Sequence, residues 1–140
     1  CVGALQFIPE DEHIEATSEI TGTKITETEI ETLLQNLRLA PLGLGKDSEF
    51  RISIAGVQEK TALLFKDNQW FKPTLTTPTT HIFKIQIGHL PNGIDLSNSV
   101  ENEFYCLKLL EAFGLPVNRA VIQTFGNTKA LVIERFDRLW

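Results

Sequence analysis

One lysine, Lys84, lies within an apolar segment that has the pattern of a buried strand. Its apolar neighbours are Ile82, Phe83, Ile85 and Ile87. Burying an ammonium group among such side chains is costly unless a phosphate or a carboxylate meets its charge. The segment therefore indicates an anion site or a buried ion pair, although a lysine on the outer side of an edge strand would give the same pattern.

The carboxylate that could meet this charge is Glu103, further along the chain. Apolar side chains recur at helical spacing between residues 97 and 113, at Val100, Phe104, Leu107 and Leu110. At about 100° per residue, Glu103 falls within this apolar face, whereas Glu101 points towards water. The spacing thus predicts that Glu103 reaches Lys84 beneath the sheet.

Other segments predict the elements that must position this pair. Strands are predicted at residues 1–8, 50–54, 61–65, 70–71, 81–87, 120–125 and 129–134, with turns at Asp67-Asn68 and Gly126-Asn127. Gly114 is placed to end the second helix, with Pro116 just beyond it. A strand lysine followed by a helix glutamate and two more strands is the order of a protein-kinase amino-terminal lobe, where such a pair holds ATP phosphates. The predicted fold class is α+β, with an antiparallel sheet of about five strands and one main helix.

Residues 26–49 have a different sequence pattern from the strands that follow them. Thr26 and Glu29 form a capping box that begins a helix, and Pro41 ends its apolar pattern. Residues 42–49 then read as a linker. We therefore expect residues 1–45 to be part of a small α/β subdomain and residues 46–140 to form the kinase-like lobe.

The amino-acid composition argues against several functional classes of protein. The chain has 140 residues, 42% of them hydrophobic, and a net charge of −5 without a basic run, which argues against a dedicated nucleic-acid surface. No segment has the length of a membrane span. The two cysteines, Cys1 and Cys106, fit a reducing compartment and predict a cytoplasmic protein. Because the chain contains no methionine, we expect a piece of a longer protein; a lipid-anchored envelope protein is an alternative that depends on Cys1 alone.

Three longer segments resemble a known family. They are residues 52–63 (ISIAGVQEKTAL), 77–84 (TPTTHIFK) and 134–138 (ERFDR). Together with residues 1–4 and 102–106, they closely resemble the HipA family of bacterial persistence toxins, which are serine/threonine kinases of toxin–antitoxin systems. The resemblance runs along nearly the whole chain. One departure from the common kinase pattern is the glycine-rich loop, where only Gly56 is present, and a single glycine between two strands is more typical of an ordinary hairpin.

The resemblance implies a role for each matching residue. The loop that wraps the nucleotide phosphates corresponds to Ala55, Gly56, Val57, Gln58, Glu59 and Lys60. Lys84 corresponds to the phosphate-binding lysine, and the hinge that contacts the adenine edge corresponds to Glu134, Arg135 and Phe136. Ser53 corresponds to an autophosphorylation site that switches the kinase off.

The resemblance also implies partners for the whole protein. These are ATP and Mg²⁺, a HipB-like antitoxin, an aminoacyl-tRNA synthetase as the substrate, and operator DNA only through the antitoxin complex. We expect the catalytic aspartate and the Mg²⁺ ligands to lie in a carboxy-terminal lobe outside this chain, so the chain alone should be inactive. The alternative is a non-catalytic module that uses a kinase-like fold to hold an antitoxin. His13, His81 and His89 match no metal-ligand or catalytic spacing, and no metal site is predicted.

Overall fold

An antiparallel sheet of six strands forms the centre of the structure, a computed structural model that describes residues 10–11, 20–39, 58–74 and 77–137. The elements, in chain order, are β1 Gly22–Lys24, α1 Glu27–Leu39, β2 Lys60–Lys66, β3 Gln69–Pro73, β4 His81–Ile85, β5 Gly88–His89, β6 Asp95–Leu96, α2 Ser99–Ala112, β7 Ala120–Phe125 and β8 Thr128–Glu134. The strand order is β1-β3-β2-β4-β8-β7, and β5 and β6 form a separate two-stranded ribbon. The α+β class with an antiparallel sheet is therefore confirmed.

Two tight turns set the register of the outer strands. Asp67 and Asn68 join β2 to β3 with φ values of 51° and 57°, as a two-residue hairpin turn with matching twist requires. Gly126, with φ of 56°, begins the turn between β7 and β8, and Phe125 pairs with Thr128 across it. Both turns occur where the sequence predicted them.

The two helices pack on opposite faces of the sheet. Helix α1 begins with the predicted capping box, in which the Glu29 carboxylate accepts the Thr26 N–H at 2.8 Å and the Thr26 hydroxyl accepts the Glu29 N–H at 3.3 Å. Its face toward the sheet shares one core with strand residues. The buried members of this core are Ile25, Ile30, Leu34, Leu63, Phe83, Ile85, Phe125, Ala130 and Val132.

Helix α2 covers part of the other face. Val100 is buried with Leu131 and Ile133, and Phe104 packs against them. The helix ends as predicted at Gly114, whose φ is 76°. The Gly114 and Leu115 N–H groups bond back to the carbonyls of Glu111 and Leu110 at 2.9 and 3.1 Å.

Several boundaries differ from the sequence predictions. Strand β4 ends at Ile85 rather than at residue 87, and the chain continues into the β5–β6 ribbon, which was not predicted. Strand β1 was also not predicted; it forms by pairing with β3. The predicted strands at residues 1–8 and 50–54 lie outside the described residues, and the predicted division between residues 45 and 46 stays a prediction. Within the described part of the chain, no helix has the length and apolar content to cross a membrane.

Candidate functional site

Lys84 projects from β4 on the face that α2 covers. Its cross-strand partner on β8 is Leu131, which is buried against α2, so Lys84 shares that face. The Nζ of Lys84 donates a hydrogen bond to Oε1 of Glu103 at 2.5 Å. Both side chains are partly shielded, with 22% of Lys84 and 31% of Glu103 exposed. The structure thus brings these two residues together as the helix spacing predicted.

Glu101 lies at the water-facing position of α2 that the helix spacing predicted, and it also bonds to residues of the sheet. This carboxylate accepts hydrogen bonds from Lys129 on β8 and from the Gln86 side chain. The bond from Lys129, followed by the bond from Gln86, lowers the pKa of Glu101 below its usual value. Glu101 is nevertheless 38% exposed, so it lies on the water-facing flank of the helix, where two long side chains from the sheet reach it. Leu110, predicted on the buried face, is exposed.

A second lysine stands beside Lys84. Lys60 on β2 is the direct cross-strand partner of Lys84, so both ammonium groups belong to one face of the sheet. Burial and then the charge of Lys84 lower the pKa of Lys60, while Glu59 and Glu103 act in the opposite direction. Two neighbouring ammonium groups near Glu103 make this part of the sheet suited to a polyanion.

The described end of the predicted phosphate loop is attached to the lysine strand. The Gln58 side chain donates from Nε2 to the carbonyl of Ile85 at 3.0 Å, next to Lys84 in the chain. Ser53, Ala55, Gly56 and Val57 lie outside the described residues, so their predicted roles stay predictions.

The predicted hinge, residues 134–136, leaves the sheet beside the start of β4. The Glu134 N–H donates to the Arg119 carbonyl and the Arg135 N–H donates to the Thr80 carbonyl, both at 2.8 Å. The Arg135 side chain donates to Thr79 Oγ1 at 2.9 Å and to both carboxylate oxygens of Asp137 at 2.9 and 2.6 Å. These bonds fix the direction in which the chain leaves β8, and Phe136 is exposed there.

A cavity of about 360 Å³ lies near the far end of the sheet and is separate from the lysine pair. Its lining includes Phe65, Trp70, His81 and Glu134, but neither Lys84 nor Glu103. Among the described residues, no three His, Cys, Asp or Glu side chains are grouped so that they could hold a metal ion.

Sequence reasoning missed the polar residues that join β4 to α2. Gln86 and Ser99 connect the strand to the first turn of the helix. The available signal was the position of Gln86, two residues after Lys84 and hence on the same side of an extended chain.

Two relatives align with nearly the whole chain. A protein called putative kinase Y4mE from Sinorhizobium fredii is 35% identical over 139 residues, which is 97% of this chain and 31% of that protein. The serine/threonine-protein kinase toxin HipA of Shewanella oneidensis is 30% identical over 139 residues, covering 97% of this chain and 29% of the toxin. The chain therefore spans less than a third of the length of either relative.

A solved structure has the same fold. It is the Shewanella oneidensis complex of HipA, HipB and operator DNA, which matches with a TM-score of 0.63 and 30% identity over 95% of this chain and 28% of the other. The family described as HipA-like C-terminal domain matches residues 52–140, a range that contains Lys60, Lys84, Glu103 and the hinge. On this match, the chain belongs to the family of HipA-like C-terminal domains.

Proposed function

We propose that this chain is the ATP-binding part of a HipA-like serine/threonine kinase. The observation that carries the proposal is the ion pair between Lys84 on β4 and Glu103 on α2, at 2.5 Å on one face of an antiparallel sheet. Protein kinases use a strand lysine held by a helix glutamate to bind the ATP phosphates. In this role Glu103 orients the ammonium group, and Lys84 stabilises the negative charge on the phosphate oxygens.

Lys60 contributes the second positive charge of the proposed phosphate site. Like-charged neighbours on adjacent strands repel each other, and the lowered pKa of Lys60 reflects burial and that repulsion. A triphosphate between the two lysines would offset both effects. Nucleotide binding is therefore expected to raise the pKa of Lys60.

The hinge would hold the adenine. The N–H groups of Glu134 and Arg135 already donate within the protein, so the Phe136 N–H is the candidate donor to the adenine edge. The side-chain bonds of Arg135 to Thr79 and Asp137 would keep this segment in position.

Mg²⁺ and the phosphoryl-transfer residues belong to the proposal only for the whole protein. Among the described residues, no group of three or more His, Cys, Asp and Glu side chains could hold a metal ion. We expect the chain alone to be inactive, and the whole protein to require Mg²⁺ and a catalytic aspartate from another region.

The partners proposed for the whole protein follow the family. The substrate would be a cytoplasmic aminoacyl-tRNA synthetase, whose phosphorylation arrests growth and favours persistence. A HipB-like antitoxin would bind the toxin and connect it indirectly to operator DNA; the Shewanella relative was solved with HipB and DNA. Phosphorylation of Ser53 would add nearly two negative charges beside the ATP phosphates and oppose nucleotide binding.

A second candidate is a non-catalytic module that holds an antitoxin. It is favoured by large apolar side chains exposed on α2, which suit a protein partner better than a nucleotide. A module of this kind has no need for an ion pair beside a second lysine, which is why the kinase is our first proposal.

The deciding experiment compares Lys84→Ala with Lys66→Ala in the full-length gene product. Lys66 is an exposed lysine at the end of β2, so its variant controls for the loss of one positive charge. Lys84→Ala is expected to lower ATP-dependent phosphoryl transfer by about 100-fold or more, because charge stabilisation in the transition state is lost. Wild-type transfer by Lys84→Ala would contradict the kinase site, and antitoxin binding without any transfer by the wild type would favour the module.

A further inference from the structure

Helix α2 lacks a cap from its own N-terminal residue. The N-cap residue, Asn98, makes no side-chain hydrogen bond to the first turn. The first N–H groups of a helix have no partner inside the helix and need an acceptor from elsewhere. A Ser, Thr, Asp or Asn side chain at the N-cap commonly supplies that acceptor.

In this protein the acceptor comes from the neighbouring strand segment. Oε1 of Gln86, just after β4, accepts the Val100 N–H at 2.9 Å and the Ser99 hydroxyl at 3.0 Å. The Ser99 hydroxyl oxygen in turn accepts the Ile87 N–H at 2.9 Å. Nε2 of the same Gln86 donates to Glu101 at 2.5 Å. Gln86 therefore bonds to three consecutive residues of the first helical turn.

This arrangement connects both members of the ion pair. Gln86 follows Lys84 by two residues in the chain that carries the lysine, and Ser99 and Val100 lie about one turn before Glu103 in the helix. A rotation or a shift of α2 that separates Glu103 from Lys84 must also break the bonds to Gln86. We infer that Gln86, with Ser99, is a positioning residue that sets the rotation and axial position of α2 and so holds Glu103 against Lys84.

The apolar contacts of α2 do not fix its position to the same degree. Val100 and Phe104 pack against Leu131 and Ile133, but such contacts are non-directional. The bonds to Gln86 have defined distances and angles, and they are lost over a small displacement. Together with the bond from Lys129 to Glu101, they are the directional contacts that favour one orientation of the helix.

The inference rests on the proposed function, and its test uses the full-length gene product. Gln86→Met keeps the length of the side chain but removes its amide, and Ser99→Ala removes the hydroxyl. Ser99→Thr restores a hydroxyl and serves as the rescue variant. Thr26→Ala is the matched control, because it removes an ordinary cap from α1 on the opposite face of the sheet.

Two measurements separate positioning from a general loss of stability. The first is the reactivity of Lys84 toward an amine-reactive label, read by mass spectrometry against the exposed Lys66. The second is kcat and KM for ATP. Gln86→Met and Ser99→Ala are expected to make Lys84 several-fold more reactive and to lower kcat by about 10- to 100-fold, with a smaller change in KM. Thr26→Ala should leave the reactivity of Lys84 and kcat unchanged, even if it lowers the unfolding midpoint as much as Gln86→Met and Ser99→Ala do.

A double-variant comparison provides the sharpest check. If Gln86 acts through Glu103, then Gln86→Met added to Glu103→Gln should lower kcat by little more than Glu103→Gln alone. Additive effects, or unchanged Lys84 reactivity in both Gln86→Met and Ser99→Ala, would overturn the inference. If the wild type transfers no phosphate while Lys84 reactivity still rises in these variants, the positioning role stands and the proposed kinase function fails.

Discussion

At the scale of single residues, the imidazole of His81 has an unusually restrictive environment. It lies against Trp70 and Phe65, with ring centroids 5.1 and 5.8 Å away. Its Nδ1 is 2.8 Å from the Thr80 hydroxyl, whose oxygen accepts the Phe65 N–H at 2.7 Å. The Thr80 hydroxyl can donate either to Nδ1 or to the Leu63 carbonyl, 3.4 Å away. Burial lowers the pKa of His81 below its usual 6.5, and the charge of Glu134 acts the other way.

This environment predicts that the protein loses stability in mild acid. Between the lowered pKa of the folded state and the ordinary value of 6.5, the unfolded chain binds more protons than the folded chain. The free energy of unfolding should therefore fall as pH decreases from about 7 into this range, and the His81 contribution should level off below the folded pKa. Urea unfolding at a series of pH values measures this slope.

Two variants test the assignment to His81. His81→Gln should flatten the slope in this range, because the residue that takes up the proton is gone. His89→Gln makes the same substitution at an exposed histidine on the β5–β6 ribbon and serves as the comparison variant. A slope that persists in His81→Gln would assign the effect to another group. The charged carboxylate of Glu101 also stabilises the folded state at pH values above 4.5, its usual pKa. That stabilisation is lost only as the pH falls below 4.5.

At the scale of elements, α1 is attached to the β7–β8 hairpin by a helix side chain. Oε1 of Glu31 accepts the Asn127 N–H at 2.7 Å in the turn, and Gln35 donates to the same oxygen at 3.2 Å. The absence of a side chain at Gly126 gives the carboxylate room, because a Cβ built there would overlap it. The hydrogen bond between α1 and the β7–β8 turn therefore requires a glycine at position 126.

Gly126→Ala is expected to destabilise the protein by about 1–2 kcal/mol, because φ at this position is 56° and L-residues are strained there. The displaced Glu31 should add to this cost by leaving the Asn127 N–H without its acceptor. Chemical unfolding of Gly126→Ala, Glu31→Ala and the double variant measures both contributions. The double variant should lose less than the sum, because no carboxylate remains to be displaced. Strict additivity would show that the turn and α1 are independent.

The elements also show what can be predicted from a sequence. Lys84 and Glu103 were matched because the helical period placed Glu103 toward the sheet, and because a strand lysine followed by a helix glutamate is the order of a protein-kinase lobe. The bonds of Glu101 to Gln86 and Lys129 were missed, because contacts between distant side chains leave no periodic signal. Strand β1 was missed for a similar reason: residues 22–24 lack an alternating pattern and become a strand by pairing with β3.

At the scale of the whole molecule, the outer side of α2 has an apolar stripe. Tyr105, Leu109 and Phe113 occupy successive turns on the side opposite Val100, and they are 66%, 43% and 73% exposed. Large apolar side chains in a row on the surface favour association, and helices commonly pair through ridges of this spacing. The net charge of −5 opposes contact between two copies, and salt weakens that repulsion.

We therefore expect the isolated 140-residue chain to self-associate through this stripe, more strongly at high ionic strength than at low. Sedimentation equilibrium over a range of protein concentrations measures the association.

The double variant Leu109→Lys/Phe113→Lys should be monomeric, because two ammonium groups interrupt the stripe. Positive charges near the carboxy-terminal end of a helix are compatible with the helix dipole, so the helix itself should be retained. The matched control is Val121→Lys, which places a charge on another exposed apolar residue, on β7, and should associate like the wild type. A wild-type chain that stays monomeric at high salt would contradict the prediction, and association abolished by Val121→Lys alone would move the contact from α2 to the sheet edge.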